Sequence, residues 1–234
     1  MNKTDAIIVA AGSGSRLGYS IPKAFVKLKD KPILYYSLIR FASHKDISSV
    51  ILVVSEQMIN KAEDFLNNYP DLKNCVSLTI GGDQRWKSVR NGAKKSDAEW
   101  ILVHDAARPF LSEKVIDSVL EMRSKFKCVI TATPVVDTLR TFKGNTTGET
   151  VDRSSVIRVG TPQLLKRNLL LECFEDETLM TPPPTDEASL MERKGIKTGF
   201  SFGDPLNFKI TTPADMMIAE ALLDSYPEML MGRE

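Results

Sequence analysis

Five uninterrupted apolar runs recur along the first part of the chain: 6–10 (AIIVA), 49–54 (SVILVV), 76–80 (VSLTI), 100–104 (WILVH) and 128–134 (CVITATP). Each is short for a helix, and these runs rich in Val, Ile and Leu read as strands of a sheet covered on both sides. Helical patterns separate them. Pro32 opens one to about 42, Ser55 is placed to cap one to about 68, a third covers 84–95, and Ser112 precedes one to about 126. Strands alternating with helical crossovers predict an α/β fold: a three-layer α/β/α arrangement around a mostly parallel, Rossmann-like sheet. The rhythm breaks at about 136–160, where short β-branched runs flank a polar turn (KGNTTG), predicting a protruding β-arm inserted in a single domain spanning 1–234. An arm that cannot bury both its faces on its own domain is a candidate for packing on a second subunit. Beyond it, helices are expected near 164–174 and 186–194, strand pieces near 199–202 and 208–210, and a last helix opened by Thr212 and Pro213.

Charge and cysteine content narrow the classes of function. Thirty-one basic and thirty acidic residues give a net charge of +1, so no global field invites nucleic acid or an anionic membrane. Three widely spaced cysteines, Cys75, Cys128 and Cys173, form no CxxC pair and suggest neither a disulfide framework nor a zinc site. No long apolar stretch suggests a leader or a membrane span, and a cytoplasmic protein is expected.

The first strand runs into a glycine-punctuated loop, AAGSGSRLGYSIPK. Glycines let backbone N–H groups approach a ligand with no Cβ in the way, and Arg16 and Lys23 add two fixed cations. The loop is not a GxxxxGK[ST] phosphate loop, because Gly12 and Gly18 are one residue too far apart and Tyr19 stands where lysine is needed. Nor is it a GxGxxG fingerprint, because Leu17 occupies the third glycine position. Backbone donors with two fixed cations suit a polyphosphate. Further polar clusters follow other strands: Gly81 to Arg85 after the third, Asp105 to Arg108 after the fourth, and Lys209 and Thr211 beside a later piece. Ligands of open α/β sheets collect at the carboxyl ends of strands, so this convergence outweighs any one motif. Taken singly, Asp83 and Asp105 read as helix caps, and His104 as a buried strand residue with its ring hydrogen-bonded.

In this order, the segments AAGSGSRLG with PK, GGDQR, HDAARPF, PVVDTLR, TVDR, TPQ, TDEASLMERKG and NFKITTP resemble the 2-C-methyl-D-erythritol 4-phosphate cytidylyltransferases. The resemblance implies a nucleotidyltransferase sheet and transfer of a cytidylyl group from CTP to the polyol phosphate, with release of pyrophosphate. The nucleophile is then a phosphate oxygen, already anionic, and no general base is needed. It further implies Arg16 and Lys23 as catalytic cations, and Ala10, Ala11, Gly12, Ser13, Gly14, Gly82, Asp83, Ser88 and Ala106 around the nucleotide. Asp105, Arg108, Thr138, Arg153, Thr161 and Lys209 are implied around the acceptor. Mg²⁺ is expected on the CTP phosphates, with Asp105 as its candidate protein ligand, and a homodimer through the arm. The chain departs from the family pattern at Ala24 and Gly160, where glutamine is frequent, and at Leu206, where an acidic residue is frequent. The alternatives are a ribitol 5-phosphate cytidylyltransferase, a uridylyl or guanylyl transferase acting on a hexose phosphate, and a non-catalytic nucleotide-binding regulator. Intact Arg16 and Lys23 weigh against the last.

Overall fold

A computed structural model describes residues 3–12 and 21–226. Strands β1 (Thr4–Val9), β4 (Ser49–Val54), β5 (Val76–Ile80), β6 (Trp100–Asp105), β7 (Cys128–Pro134), β10 (Ile157–Lys166) and β11 (Thr198–Phe202) form one sheet. Its spatial order is β11-β7-β10-β6-β1-β4-β5. All neighbours are parallel except β10, which runs antiparallel to both β6 and β7. The five predicted strands are all present, and Ser49–Val54, Val76–Ile80 and Cys128–Pro134 match the predicted limits.

The central strands are buried on both faces. Ala6, Ile8, Val50 and Leu52 point to one side, toward α1 (Ile33–Ala42), α2 (Ile59–Asn67) and α5 (Glu113–Glu121). Ile7, Ile51, Val53, Ile101 and Val103 point to the other, toward α4 (Arg85–Lys95), α6 (Arg167–Glu175) and α7 (Glu187–Arg193). The period-two alternation of side chains thus divides the central runs, β1, β4 and β6, between two cores. A third cluster packs α8 (Pro213–Ser225) on α1 through Met216, Ala219 and Leu223 against Ile33 and Tyr36.

Several local expectations change. Ser55 and Ser112 precede their helices without making a side-chain cap, and α2 is entered through a 3-10 turn at Glu56–Met58. Residues 164–166, expected in a helix, continue β10; Leu164 and Leu165 are fully buried between β6 and β7. Residues 208–210 form no strand, and Ile210 is tied instead through its N–H to the Ala107 carbonyl at 2.9 Å. A two-residue hairpin of β2 (Lys27–Leu28) and β3 (Lys31–Pro32) was not anticipated. The short helix α3 (Pro70–Lys73) adds one turn before β5. The arm is a hairpin of β8 (Leu139–Lys143) and β9 (Thr146–Val151), turning at Gly144 with φ +57°. It is shorter than expected, because residues 157–160 leave it and pair with β7.

Candidate active site

The chain makes β1, β4 and β5 on one side of the sheet, then crosses to β6 on the other side of β1. That reversal opens a crevice at the carboxyl ends of β1 and β6. A cavity of about 220 Å³ lies there. Val9 to Gly12 supply its floor, Lys23 and Ala24 one wall, Gly82 to Arg85 with Ser88 another, and Asp105 to Ala107 with Lys209 the third. Sequence reasoning placed Ala10, Ala11, Gly12, Lys23, Gly82, Asp83, Ser88, Asp105, Ala106 and Lys209 at a site, and the fold brings all ten to this cavity. Ser13, Gly14 and Arg16 lie outside the described residues.

Asp105 is the electrostatic centre. Its side chain is 11% exposed, with Lys209 Nζ at 2.9 Å, Arg85 Nε at 3.4 Å and Arg108 Nε at 3.5 Å. Burial alone would raise its pKa, but Arg85, Lys209 and Arg108 together hold it well below the usual carboxylate range. Arg85 is fixed from behind: its Nη1 donates to both carboxylate oxygens of Glu187, at 2.6 and 2.8 Å. Glu187 is 2% exposed, and burial pushes its carboxyl up against the pull of Arg85. Burial would lower the Arg85 pKa, yet Glu187 and then Asp105 raise it above the ordinary value. A guanidinium held between two carboxylates is pinned in direction as well as charge.

Glu187 stands where it does because α7 is rigidly started. Asp186 caps the helix by accepting the Ser189 N–H, and Ser189 Oγ returns the contact in a capping box. Gln163 of β10 clamps the same turn, donating from Nε2 to Asp186 at 2.9 Å and accepting the Ala188 N–H at 3.3 Å. This explains the TPQ and TDEAS segments physically: one brackets the helix start that carries the buried acid of the other. Arg85 and Glu187 were not singled out as site residues. They are 102 positions apart, and only the three-dimensional pairing makes them one unit.

Beneath Asp105, a chain of bonds fixes the end of β6. His104 is fully buried; its Nε2–H donates to the Arg108 carbonyl at 3.2 Å, so Nδ1 carries no proton and accepts from Thr161 Oγ1 at 3.1 Å. The Thr161 hydroxyl in turn accepts the Asp105 N–H at 3.2 Å. Burial pulls the His104 pKa down to about 4 against the Arg108 carbonyl, which keeps the ring neutral. Thr161, expected at the acceptor, is 4% exposed and stands in the wall behind Asp105.

Other site residues take supporting positions. Ser88 Oγ accepts the Gly82 N–H at 3.1 Å, and a Cβ on Gly81 would lie 2.6 Å from that oxygen and 2.7 Å from Ala11 Cβ. Glycine is therefore required for the two loops to meet. Asp83 is exposed and paired with Lys87 one turn on, at 2.8 Å. Lys23 follows Pro22 in a 3-10 turn at Lys23–Phe25. Its charge reaches Asp215, whose carboxylate accepts the N–H groups of Thr211 and Thr212 at 2.8 and 2.7 Å. Arg108 donates from Nη1 to the Asn207 carbonyl at 3.0 Å. Thr138 and Arg153 do not reach the cavity: both are exposed on the flanks of the arm, where Arg153 donates to the Val136 carbonyl.

No group of three acidic, histidine or cysteine side chains able to hold a metal occurs among the described residues. Asp105, the candidate ligand, faces three cations, so its oxygens do not fit a resident divalent ion. No helix among the described residues is long and apolar enough to cross a membrane.

Comparison with known proteins gives a consistent picture. The profile described as "IspD: 2-C-methyl-D-erythritol 4-phosphate cytidylyltransferase" matches residues 4–225. A Bacillus cereus protein of that name is 38% identical over 218 residues, 93% of this chain and 96% of its own. One from Clostridium botulinum is 34% identical over 227 residues, 96% of this chain and 99% of its own. Among solved structures, a 4-diphosphocytidyl-2C-methyl-D-erythritol synthase from Anaerococcus prevotii superposes with a TM-score of 0.83 at 29% identity, covering 95% of this chain and 96% of that one.

Proposed function

Because the chain belongs to the 2-C-methyl-D-erythritol 4-phosphate cytidylyltransferase family, we propose that it transfers the cytidylyl group of CTP to 2-C-methyl-D-erythritol 4-phosphate, releasing pyrophosphate. The observation that carries this reading is the gathering of Lys23, Arg85 and Lys209 around one cavity at the reversal of the sheet. Two phosphate-bearing substrates repel each other, and the reaction needs their charges neutralised while a phosphate oxygen of the acceptor attacks the α-phosphorus. The bond from that phosphorus to the β-phosphate oxygen breaks, and its electron pair leaves with pyrophosphate. Lys23 and Arg16 hold the triphosphate and stabilise the charge that builds up on it. Lys209, aligned by Asp105, receives the acceptor phosphate. Gly12 borders the triphosphate, while Gly82, Asp83 and Ser88 border the base. A divalent cation enters as part of the nucleotide, chelated by its phosphates rather than by a protein cage.

The arm supports a homodimer. Phe142 on the hairpin is 80% exposed and Val136 at its root 72% exposed, apolar surface that a second copy would cover. Thr138 and Arg153 would then serve the neighbouring site rather than their own. A cytoplasmic location accords with this small-molecule chemistry.

The deciding experiment is a pyrophosphate-release assay crossing four nucleoside triphosphates with several polyol phosphates. Turnover confined to CTP and 2-C-methyl-D-erythritol 4-phosphate is expected. Preference for ribitol 5-phosphate, or no turnover with any pair, would refute the assignment.

A further inference from the structure

Helix α4 begins at the cavity wall without the usual means of ending a helix. Gln84 at its N-cap makes no side-chain bond to the helix, and no acidic residue stands in its first turn. The first residue is instead Arg85, a cation where the helix dipole favours an anion. Yet this end has to be held. Ser88, three residues on, accepts the Gly82 N–H at 3.1 Å, so the start of α4 shapes the whole wall from Gly82 to Ser88.

The missing negative charge comes from another helix. Glu187 of α7 takes both bonds from Arg85 Nη1, and α7 has the complete capping box that α4 lacks. The helix with a finished end thus holds the one without. Gln163 of β10 fixes the holder. It is 1% exposed and does not line the cavity. Its two polar groups close on either side of Glu187: Nε2 donates to Asp186 Oδ2 at 2.9 Å, and Oε1 accepts the Ala188 N–H at 3.3 Å. Both ends of the amide are spent on the residues that flank the buried acid, which leaves the Glu187 carboxylate one direction in which to point.

We propose that Gln163 is a positioning residue for the nucleotide: by clasping both neighbours of Glu187 it aims that carboxylate at Arg85 and so holds the α4 wall in place for CTP. The inference rests on the reading of the cavity as a CTP site. Calorimetric titration with CTP and Mg²⁺ tests it, at a temperature where melting curves show every variant folded. Gln163→Met keeps the side-chain length and removes both bonds. The CTP Kd should rise about tenfold, with kcat at saturating CTP little changed. In a Glu187→Ala background, where no carboxylate is left to aim, Gln163→Met should add nothing to the Kd. Gln163→Glu combined with Asp186→Asn reverses donor and acceptor in the side-chain bond, keeps a capping residue at 186, and should bind CTP like the parent. An unchanged Kd in Gln163→Met would overturn the role. So would an equal rise with and without the Glu187 carboxylate, which is what a merely structural glutamine gives. A folded reversed pair that binds CTP about tenfold more weakly than the parent would overturn it too, and decides the matter if Gln163→Met does not fold. A parent protein that does not bind CTP would instead overturn the functional reading, and the inference with it.

Discussion

Thr161→Val separates two roles for one residue. Family resemblance sets Thr161 near the acceptor; the fold buries it, with its hydroxyl joining the Asp105 N–H at 3.2 Å to His104 Nδ1 at 3.1 Å. Valine is close in shape but can neither donate nor accept. It would strand one backbone donor and one ring acceptor in a site closed to water. Each unsatisfied buried group costs about 1–3 kcal/mol, so the pair should cost about 2–6 kcal/mol. At about 2–4 °C per kcal/mol for a chain of this size, the unfolding midpoint should fall by about 4–24 °C. Thr161→Ser keeps the hydroxyl and should recover most of that loss. Calorimetry of the three proteins gives the midpoints, and steady-state kinetics at a temperature where all are folded gives the acceptor KM. A Thr161→Val protein that melts like its parent yet binds the acceptor poorly would refute the supporting role and make Thr161 a direct substrate contact.

Lys23→Ala should lower kcat about 100-fold or more while leaving the melting curve in place; near-normal turnover would reject its assigned part. Glu187→Gln retains one acceptor for Arg85 but removes the buried charge. With Arg85 partly exposed, a loss of ~1–3 kcal/mol is expected, together with a raised CTP KM, readable by urea titration and initial rates. Burial lowers the His104 pKa to about 4 in the fold from its ordinary 6.5 in the unfolded chain. The unfolded chain therefore binds the extra proton between those values. The stability present above about pH 6.5 should fall by ~3 kcal/mol as the pH drops toward 4. Glu187, whose carboxyl burial raises, acts in the opposite sense near its own range. Denaturant unfolding across that window should show the decline, and His104→Gln should flatten it.

The layers of the fold were legible because runs such as SVILVV bury alternate side chains in two cores, leaving a strand no wet face to disguise it. The ten predicted residues that line the cavity were legible because most follow a strand end directly, while Ser88 stands on the first turn of α4 and Lys23 in a 3-10 turn. The Arg85–Glu187 pair was not, since its partners meet only after α4 and α7 pack on the same face of the sheet. The GGDQR and TDEAS segments carried the signal, but a charge beside a strand end looks the same whether solvated or paired. Residues 164–166 were misread as helix because two leucines between polar neighbours suit either geometry until the strands beside them are known. The piece 208–210 misled for the reverse reason: Phe208 and Ile210 are half-buried and buried by packing on α8 and Phe110, not by joining a sheet.

Strand β10 begins soon after the arm, runs through Gly160 and Thr161, and finishes at the first turn of α6. Its register with β7 shifts between Gly160 and Leu164, so its first half pairs with β7 alone and its second half with β7 and β6 together. One continuous strand thus joins the foot of the protruding hairpin to Thr161, whose hydroxyl holds the backbone of Asp105.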